Sequence, residues 1–162
     1  MHSEVTLSDS LLKQIEDRLE NEGVTEANLQ AILDQTLKYF RCVVGTIHSL
    51  ETSNMLQLRA QTGIPEVILE QVSLIPIGKG MAGLAASRRE PVQVCNLQSD
   101  DTGVAKQRAK ETKMEGSIAV PILVEGNLRG AMGIAKPEPY EFSKDEIQLL
   151  LQIASLVGKY FS

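Results

Sequence analysis

The sequence predicts a mixed α/β fold, on the basis of three observations. Amphipathic helical patterns occupy both ends of the chain, short apolar runs joined by turns lie between them, and these runs do not repeat as βαβ units. The predicted order of elements is α-α-β-β-α-β-α-β-α-β-β-α. With 162 residues the chain is expected to form one domain, residues 1–162, around one core.

Composition excludes several classes of function. A net charge of −5 provides no cationic surface for nucleic acid, and the absence of Trp leaves few aromatic side chains for base stacking. No run approaches the roughly 20 apolar residues of a membrane span, and no signal peptide is recognisable. Two cysteines are too few for a disulfide scaffold, so we expect a cytoplasmic protein.

Two helices are predicted before the first strand. The first is expected over Leu11–Glu20, with Ser8, Asp9 or Ser10 as N-cap, Gly23 as the stop, and an apolar stripe of Leu12, Ile15 and Leu19. The second is expected from near Thr25 to Phe40, and its apolar face contains Leu29, Ile32, Leu33, Leu37 and Phe40. We treat residues 1–23 as an N-terminal helix and residues 24–162 as the core of the domain.

A hairpin follows the second helix. Strands are predicted over Cys42–Leu50 and Met55–Thr62, with residues 51–54 as the loop. In the second strand Leu56, Leu58 and Ala60 alternate with polar residues. Pro65 suits the first turn of a short helix over Pro65–Val72.

The middle of the chain contains the glycine run Gly78–Gly83, which fits the dinucleotide fingerprint G-x-G-x-x-G. It lies between a short strand, Leu74–Ile77, and a short helix, Met81–Arg88. A dinucleotide site requires a buried parallel strand and a long crossover helix. Pro76 within the strand and only about eight helical residues before Pro91 argue against it. We therefore interpret the run as a tight turn, with Gly83 and the neighbouring alanines letting the helix approach the sheet.

The last third of the chain ends in a hairpin and a helix. Val92–Asn96 is a predicted strand, and residues 98–113 form a polar loop with some exposed helix. Ser117–Val124 and Leu128–Lys136 form the hairpin, and Ser143 caps a helix over residues 143–161. That helix has two apolar stripes: Ile147, Leu150, Ala154, Val157 and Phe161, and Leu149, Ile153, Leu156 and Tyr160.

Two stripes are more than one sheet face requires, so the last helix is expected to meet another helix as well. The candidates are the N-terminal helix of the same chain and a symmetry mate. We prefer a homodimer formed through the terminal helices, and the alternative is that the N-terminal helix alone covers the second stripe.

Several of these segments together resemble a GAF domain. The resemblance runs in order from about Thr25 to the C-terminus. It rests on Gly45-Thr46-Ile47-His48, residues 75–83, Pro91-Val92, residues 117–122, residues 130–134 and residues 142–146. It implies a central antiparallel sheet of five to six strands. Long N- and C-terminal helices would cover one face, and short helices and loops would form a pocket on the other.

The resemblance leaves the ligand open, because GAF domains bind many different molecules. One branch is enzymatic, free methionine-R-sulfoxide reductase, but its cysteine positions fall here on Val72, Ala82 and Lys110. The cyclic-nucleotide branch has an Asn-Lys pair where this chain has Ala135-Lys136. A third branch attaches a bilin through cysteine or a haem through histidine, and neither Cys95 nor His48 supports such attachment. We interpret His48 as an ordinary sheet residue, and we predict no metal site.

The resemblance implies a pocket lined by Thr46, Gln61, Thr62, Met81, Gln107, Lys110, Met114 and Ser117. Lys106, Arg108, Lys110 and Lys113 could attract an anion there, although a solvated helix face explains that run as well. We expect a non-catalytic sensory or regulatory domain that binds a small molecule of unknown identity. The alternatives are a cyclic-nucleotide sensor, a sulfoxide reductase and an interaction module with a vestigial pocket.

Overall fold

A computed structural model describes residues 6–99 and 112–161. Within these ranges the helices are α1 (Leu7–Glu22), α2 (Glu26–Phe40), α3 (Glu66–Ser73), α4 (Gly80–Arg88) and α5 (Lys144–Gly158). The strands are β1 (Val44–Leu50), β2 (Met55–Thr62), β3 (Leu74–Pro76), β4 (Val92–Val94), β5 (Gly116–Val124) and β6 (Asn127–Lys136). The predicted mixed α/β fold is confirmed.

The described strands form one six-stranded sheet in the order β3-β2-β1-β6-β5-β4, and all neighbours are antiparallel. Both predicted hairpins are present, β1–β2 and β5–β6. A bulge interrupts the first, because Ile47 pairs with Ala60 whereas His48 pairs with Leu58, which leaves Arg59 unpaired. A β3 that pairs antiparallel at the sheet edge rules out the parallel crossover of a dinucleotide-binding unit.

The long helices cover one face of the sheet and form the main core with it. α2 packs on β1 and β2, α5 packs on β5 and β6, and α1 packs against both α2 and α5. The fully buried side chains include Leu29, Ile32 and Leu33 of α2 and Ile153 of α5. This is the two-layer arrangement that the GAF resemblance implies. None of the helices in the described ranges is long and apolar enough to cross a bilayer.

The first helix begins one turn earlier than predicted. Its N-cap is Thr6, whose hydroxyl accepts a hydrogen bond from the backbone N–H of Asp9 at 3.1 Å. The helical pattern missed this turn because Leu7 is 79% exposed and belongs to no apolar stripe. The buried stripe is also shifted by one residue, since Leu11 rather than Leu12 joins Ile15 and Leu19 in the core.

The second apolar stripe of α5 is covered largely within the chain. Leu149 and Ile153 are buried, and Leu156 is partly buried beside α1. The predicted Ser143 cap is present and forms a capping box with Glu146, which fixes the start of the helix. α1 is therefore the helical neighbour that the second stripe required, whatever the oligomeric state of the protein.

Candidate ligand-binding site

An open cavity lies on the face of the sheet that the long helices do not cover. β1, β5 and β6 form its floor, and α3, α4 and β3 form its walls. The described residues surround about 130 Å³ that the centre of a water-sized sphere can reach, and the wider space between them, about 780 Å³, includes open solvent. Most of the side chains that line it are apolar and a few are polar, which is the usual character of a small-molecule site.

The floor of the cavity exists because small and large residues alternate along β6. Gly133 and Ala135 line the cavity, and Ala131 lies beside it in a cluster with α4. Met132 and Ile134 belong to the core beneath the long helices. Since successive residues of a strand point to opposite faces, this alternation fills one face and leaves space over the other.

Two hydroxyl groups lie at the floor. Thr46 of β1 pairs with Gly133, which pairs in turn with Ala119 of β5, so the three form a row across the sheet. Ser117 lies in the next row, and its hydroxyl donates a hydrogen bond to the carbonyl oxygen of Ile134 at 3.5 Å. These hydroxyls provide hydrogen-bonding groups at the base of a mostly apolar space, which Lys79 and Thr112 also line.

His48 connects the floor to the wall formed by α3. Its side chain is 1% exposed, and Nε2 lies 2.8 Å from the carbonyl oxygen of Val72, so Nε2 carries the proton and donates it. Ile64 and Ile68 line the same wall. The sequence interpretation of His48 as an ordinary sheet residue missed this position, which its spacing of two from Thr46 could have indicated.

The glycine run forms the turn into α4, as the sequence predicts. Gly78 and Gly80 have positive φ angles of 95° and 68°, which side chains rarely adopt. The N–H of Gly78 donates to the carbonyl oxygen of Gly83 at 2.8 Å and closes the turn. Met81 and Ala82, in the first turn of α4, line the cavity.

The predicted pocket residues occupy different places in the structure. Thr46, Met81 and Ser117 line the cavity together. Gln61 lies at its margin, where its side-chain oxygen accepts from the N–H of Ile64 at 3.1 Å. Thr62 and Met114 are not among the described residues that line the cavity. Gln107 and Lys110 lie outside the described residues, as do Lys106 and Arg108.

Thr62 and Met114 have partners of their own. The hydroxyl of Thr62 donates to Asp34 Oδ1 at 2.5 Å and accepts from Gln30 Nε2 at 2.8 Å, so it faces α2. The carbonyl oxygen of Met114 accepts from Gln98 Nε2 at 2.7 Å. Neither residue contributes to the cavity walls formed by the described residues.

The two thiols lie away from the cavity walls in the described part of the chain. Cys42 is buried just before β1, and burial raises the pKa of its thiol to about 12. Cys95 is exposed beyond β4. A thiolate nucleophile needs a lowered pKa and access to substrate, and Cys42 has neither.

Comparison with known proteins identifies the family. The sequence profile described as GAF domain matches residues 25–161, and the chain belongs to this family. No curated protein sequence matches the chain significantly.

Solved structures with the same fold include proteins of different activities. The GAF domain of a phosphoenolpyruvate-protein phosphotransferase from Coxiella burnetii is 18% identical, with a TM-score of 0.81 over 98% of this chain and 94% of that one. Free methionine-R-sulfoxide reductase from Neisseria meningitidis, solved with its substrate, is 20% identical, with a TM-score of 0.78 over 99% and 92%. A GAF domain from A. aeolicus in an inactive state is 21% identical, with a TM-score of 0.75 over 95% and 94%. At these identities the similarity establishes the fold, and the activity has to be argued from the site.

Proposed function

We propose that this protein is a non-catalytic regulatory GAF domain that binds a small, largely apolar molecule in the cavity. The observation that carries the proposal is a cavity whose described lining is mostly apolar, with Thr46 and Ser117 at its floor and Lys79 and Thr112 as further polar residues. Such a space favours a ligand that buries most of its surface and meets Thr46 and Ser117 with a polar group. Both cysteines are free thiols, which agrees with a reducing compartment such as the cytoplasm.

Two features favour this function over the enzymatic and cyclic-nucleotide alternatives. A reductase needs its nucleophile at the substrate, and neither Cys42 nor Cys95 is among the described residues that line the cavity. The lysine that the cyclic-nucleotide motif retains, Lys136, is buried, and its Nζ donates to the carbonyl oxygen of Phe40 at 2.6 Å. That lysine therefore holds the end of α2 rather than facing the cavity.

Native mass spectrometry of the purified protein tests the proposal. We expect a co-purified small molecule that the wild type releases on denaturation. Ala119→Val, which adds two methyl groups to the floor, should lose most of the co-purified molecule, whereas Ala27→Val on the exposed side of α2 should retain it.

Two other outcomes would favour the alternative functions. Reduction of free methionine-R-sulfoxide that disappears in Cys42→Ser or Cys95→Ser would show an enzyme instead. Tight calorimetric binding of a cyclic nucleotide would favour the cyclic-nucleotide class.

The sheet offers a physical route from the cavity to the helices. Thr46 faces the cavity, whereas its neighbours Gly45 and Ile47 lie beneath the long helices. A Cβ on Gly45 would lie 2.8 Å from Leu37 of α2, so the two layers are in tight contact at this strand. A ligand that favours one geometry of β1 would therefore change the packing of α2, provided that it binds the two geometries with different affinities.

We further propose that the domain forms a homodimer through the outer faces of α1 and α5. Leu12 and Leu156 line a groove between these helices together with Lys13, Glu16 and Lys159. Leu7 in α1 is 79% exposed and Tyr160, two residues beyond α5, is 39% exposed, so the terminal segments carry further exposed apolar side chains. Charges of both signs around an apolar strip suit a two-fold contact, in which each charge can meet its opposite on the second copy.

Light scattering during gel filtration tests the dimer. We expect a mass of twice the 17.7 kDa of one chain at micromolar concentration. Leu156→Glu should yield monomers because it places a charge in the apolar strip. Gln57→Glu, which adds the same charge at an exposed position of β2, should remain dimeric. A monomeric wild type would contradict the proposal.

A further inference from the structure

Gly133 is a glycine that the fold itself does not require. It lies in the interior of β6, paired on both sides, where glycine costs roughly 0.5–1 kcal/mol relative to alanine. Its φ is not among the positive φ angles, so its backbone suits any residue. A glycine at such a position commonly marks a bulge, a bend, or a place where a ligand or another backbone approaches closely.

The other glycines of the central strands have steric reasons that Gly133 lacks. A Cβ on Gly45 would lie 2.8 Å from Leu37, one on Gly116 would lie 2.7 Å from Tyr140, and one on Gly130 would overlap the carbonyl oxygen of His48. A Cβ on Gly133 would meet only Thr46 Oγ1 at 3.5 Å, Ile118 O at 3.6 Å and Ala119 Cβ at 4.0 Å. These are ordinary van der Waals contacts, so the structure has room for alanine at this position.

The surroundings of Gly133 form a level surface under the cavity. Thr46 and Ala119 flank it across the sheet, and Ala135 flanks it along the strand on the same face. None of these three side chains is larger than threonine. The bare backbone of Gly133 is therefore the centre of a shallow platform that a flat group could contact directly.

We propose that Gly133 determines ligand specificity by admitting a flat, largely apolar ring against the β6 backbone. The inference rests on the proposed function and adds the class of molecule that the cavity accepts. An aromatic or conjugated ring contacts such a platform over its whole face. A puckered ring of equal size would meet Thr46 and Ala119 with its axial hydrogens and lose that contact.

A matched pair of probes tests the inference: 2-naphthol, which is flat, and decahydro-2-naphthol, which has the same skeleton and hydroxyl but is puckered. Binding is followed through the amide signals of Thr46, Gly133 and Ala119 in ¹H–¹⁵N spectra. We expect saturable shifts with 2-naphthol and about tenfold weaker binding of the saturated probe. Gly133→Ala should weaken 2-naphthol binding by about tenfold while leaving the melting temperature unchanged or higher.

Gly158→Ala provides the control. Its new Cβ would lie 2.5 Å from Ile122 on the helix-covered face, so this variant should melt at a lower temperature and, while folded, bind 2-naphthol as the wild type does.

Equal binding of the two probes, or unchanged 2-naphthol binding by Gly133→Ala, would overturn the inference and leave the proposed function standing. A marked fall in the melting temperature of Gly133→Ala would also overturn it, because the fold would then require the glycine. Failure of 2-naphthol to bind the wild type would overturn the inference, and a cavity that also retains no co-purified molecule would overturn the proposed function with it.

Discussion

Replacement of Gly130 by alanine should destabilise the protein by about 3 kcal/mol, because the new Cβ would overlap the carbonyl oxygen of His48. The added atom would also lie 3.1 Å from the carbonyl carbon of His48 and 3.2 Å from Cα of Ser49. All of these atoms belong to the backbone of β1, so no side chain can rotate away. The strands must separate at the centre of the sheet, where β6 lies between β1 and β5.

Denaturant unfolding and calorimetry measure this loss. For a domain of this size, 3 kcal/mol corresponds to a fall of about 6–12 °C in the melting temperature. Gly133→Ala is the matched control, since it makes the same chemical change three residues along the same strand, where the structure has space. A Gly130→Ala variant within about 0.5 kcal/mol of the wild type, the range of neutral surface substitutions, would contradict the strand packing described above.

The sequence predicted those elements best whose signals are local. The alternation of Leu56, Leu58 and Ala60 and the polar loop before them identified β2 as Met55–Thr62, which are its observed bounds. Ser143 was recognisable as a cap because its side chain acts on the adjacent helical turn. The family's fold followed from short motifs in the right order, and the family match confirms it.

The face of the sheet on which each β2 side chain lies was harder to predict. A bulge reverses the alternation of side chains between the two faces and leaves no local signal in the sequence. Leu56 and Ala60 are four residues apart and would share a face in a regular strand. In the structure Leu56 packs with Ile75 on the cavity side, whereas Ala60 belongs to the core under the long helices. The unpaired Arg59 between them reverses the alternation. The guanidinium of Arg59 donates a hydrogen bond to the carbonyl oxygen of Val24 and lies over the ring of Phe161. Both partners are distant from Arg59 in the sequence.

The candidate site was predictable only in part for the same reason. Thr46 and Ser117 follow the regular alternation of β1 and β5, and both line the cavity. Gln61 and Thr62 lie beyond the bulge, so sequence alone cannot decide which of the two faces the cavity. Gln61 pairs directly with Thr46 and shares its face, which leaves Thr62 directed toward Asp34.

Gly83→Val should have an effect comparable to that of Gly130→Ala and should also alter the cavity. A Cβ at Gly83 would lie 2.8 Å from the carbonyl oxygen of Pro76 and 3.1 Å from the amide nitrogen of Gly78. The first atom belongs to the last residue of β3 and the second to the turn that precedes α4, so the helix must move away from β3. We expect a loss of about 3 kcal/mol, since overpacking against backbone cannot relax through side-chain rotation.

The displacement of α4 has a functional consequence because Met81 and Ala82 form part of the cavity wall. Gly83→Val should therefore weaken 2-naphthol binding as well as stability, measured by urea unfolding and by ¹H–¹⁵N titration below the melting transition. Ser87→Val introduces the same β-branched side chain at an exposed position of the same helix, and it should cost less than about 0.7 kcal/mol through helix propensity alone. If both variants unfolded with the same free energy, the close approach of α4 to the glycine turn would not contribute to stability, and the glycine at position 83 would need another explanation.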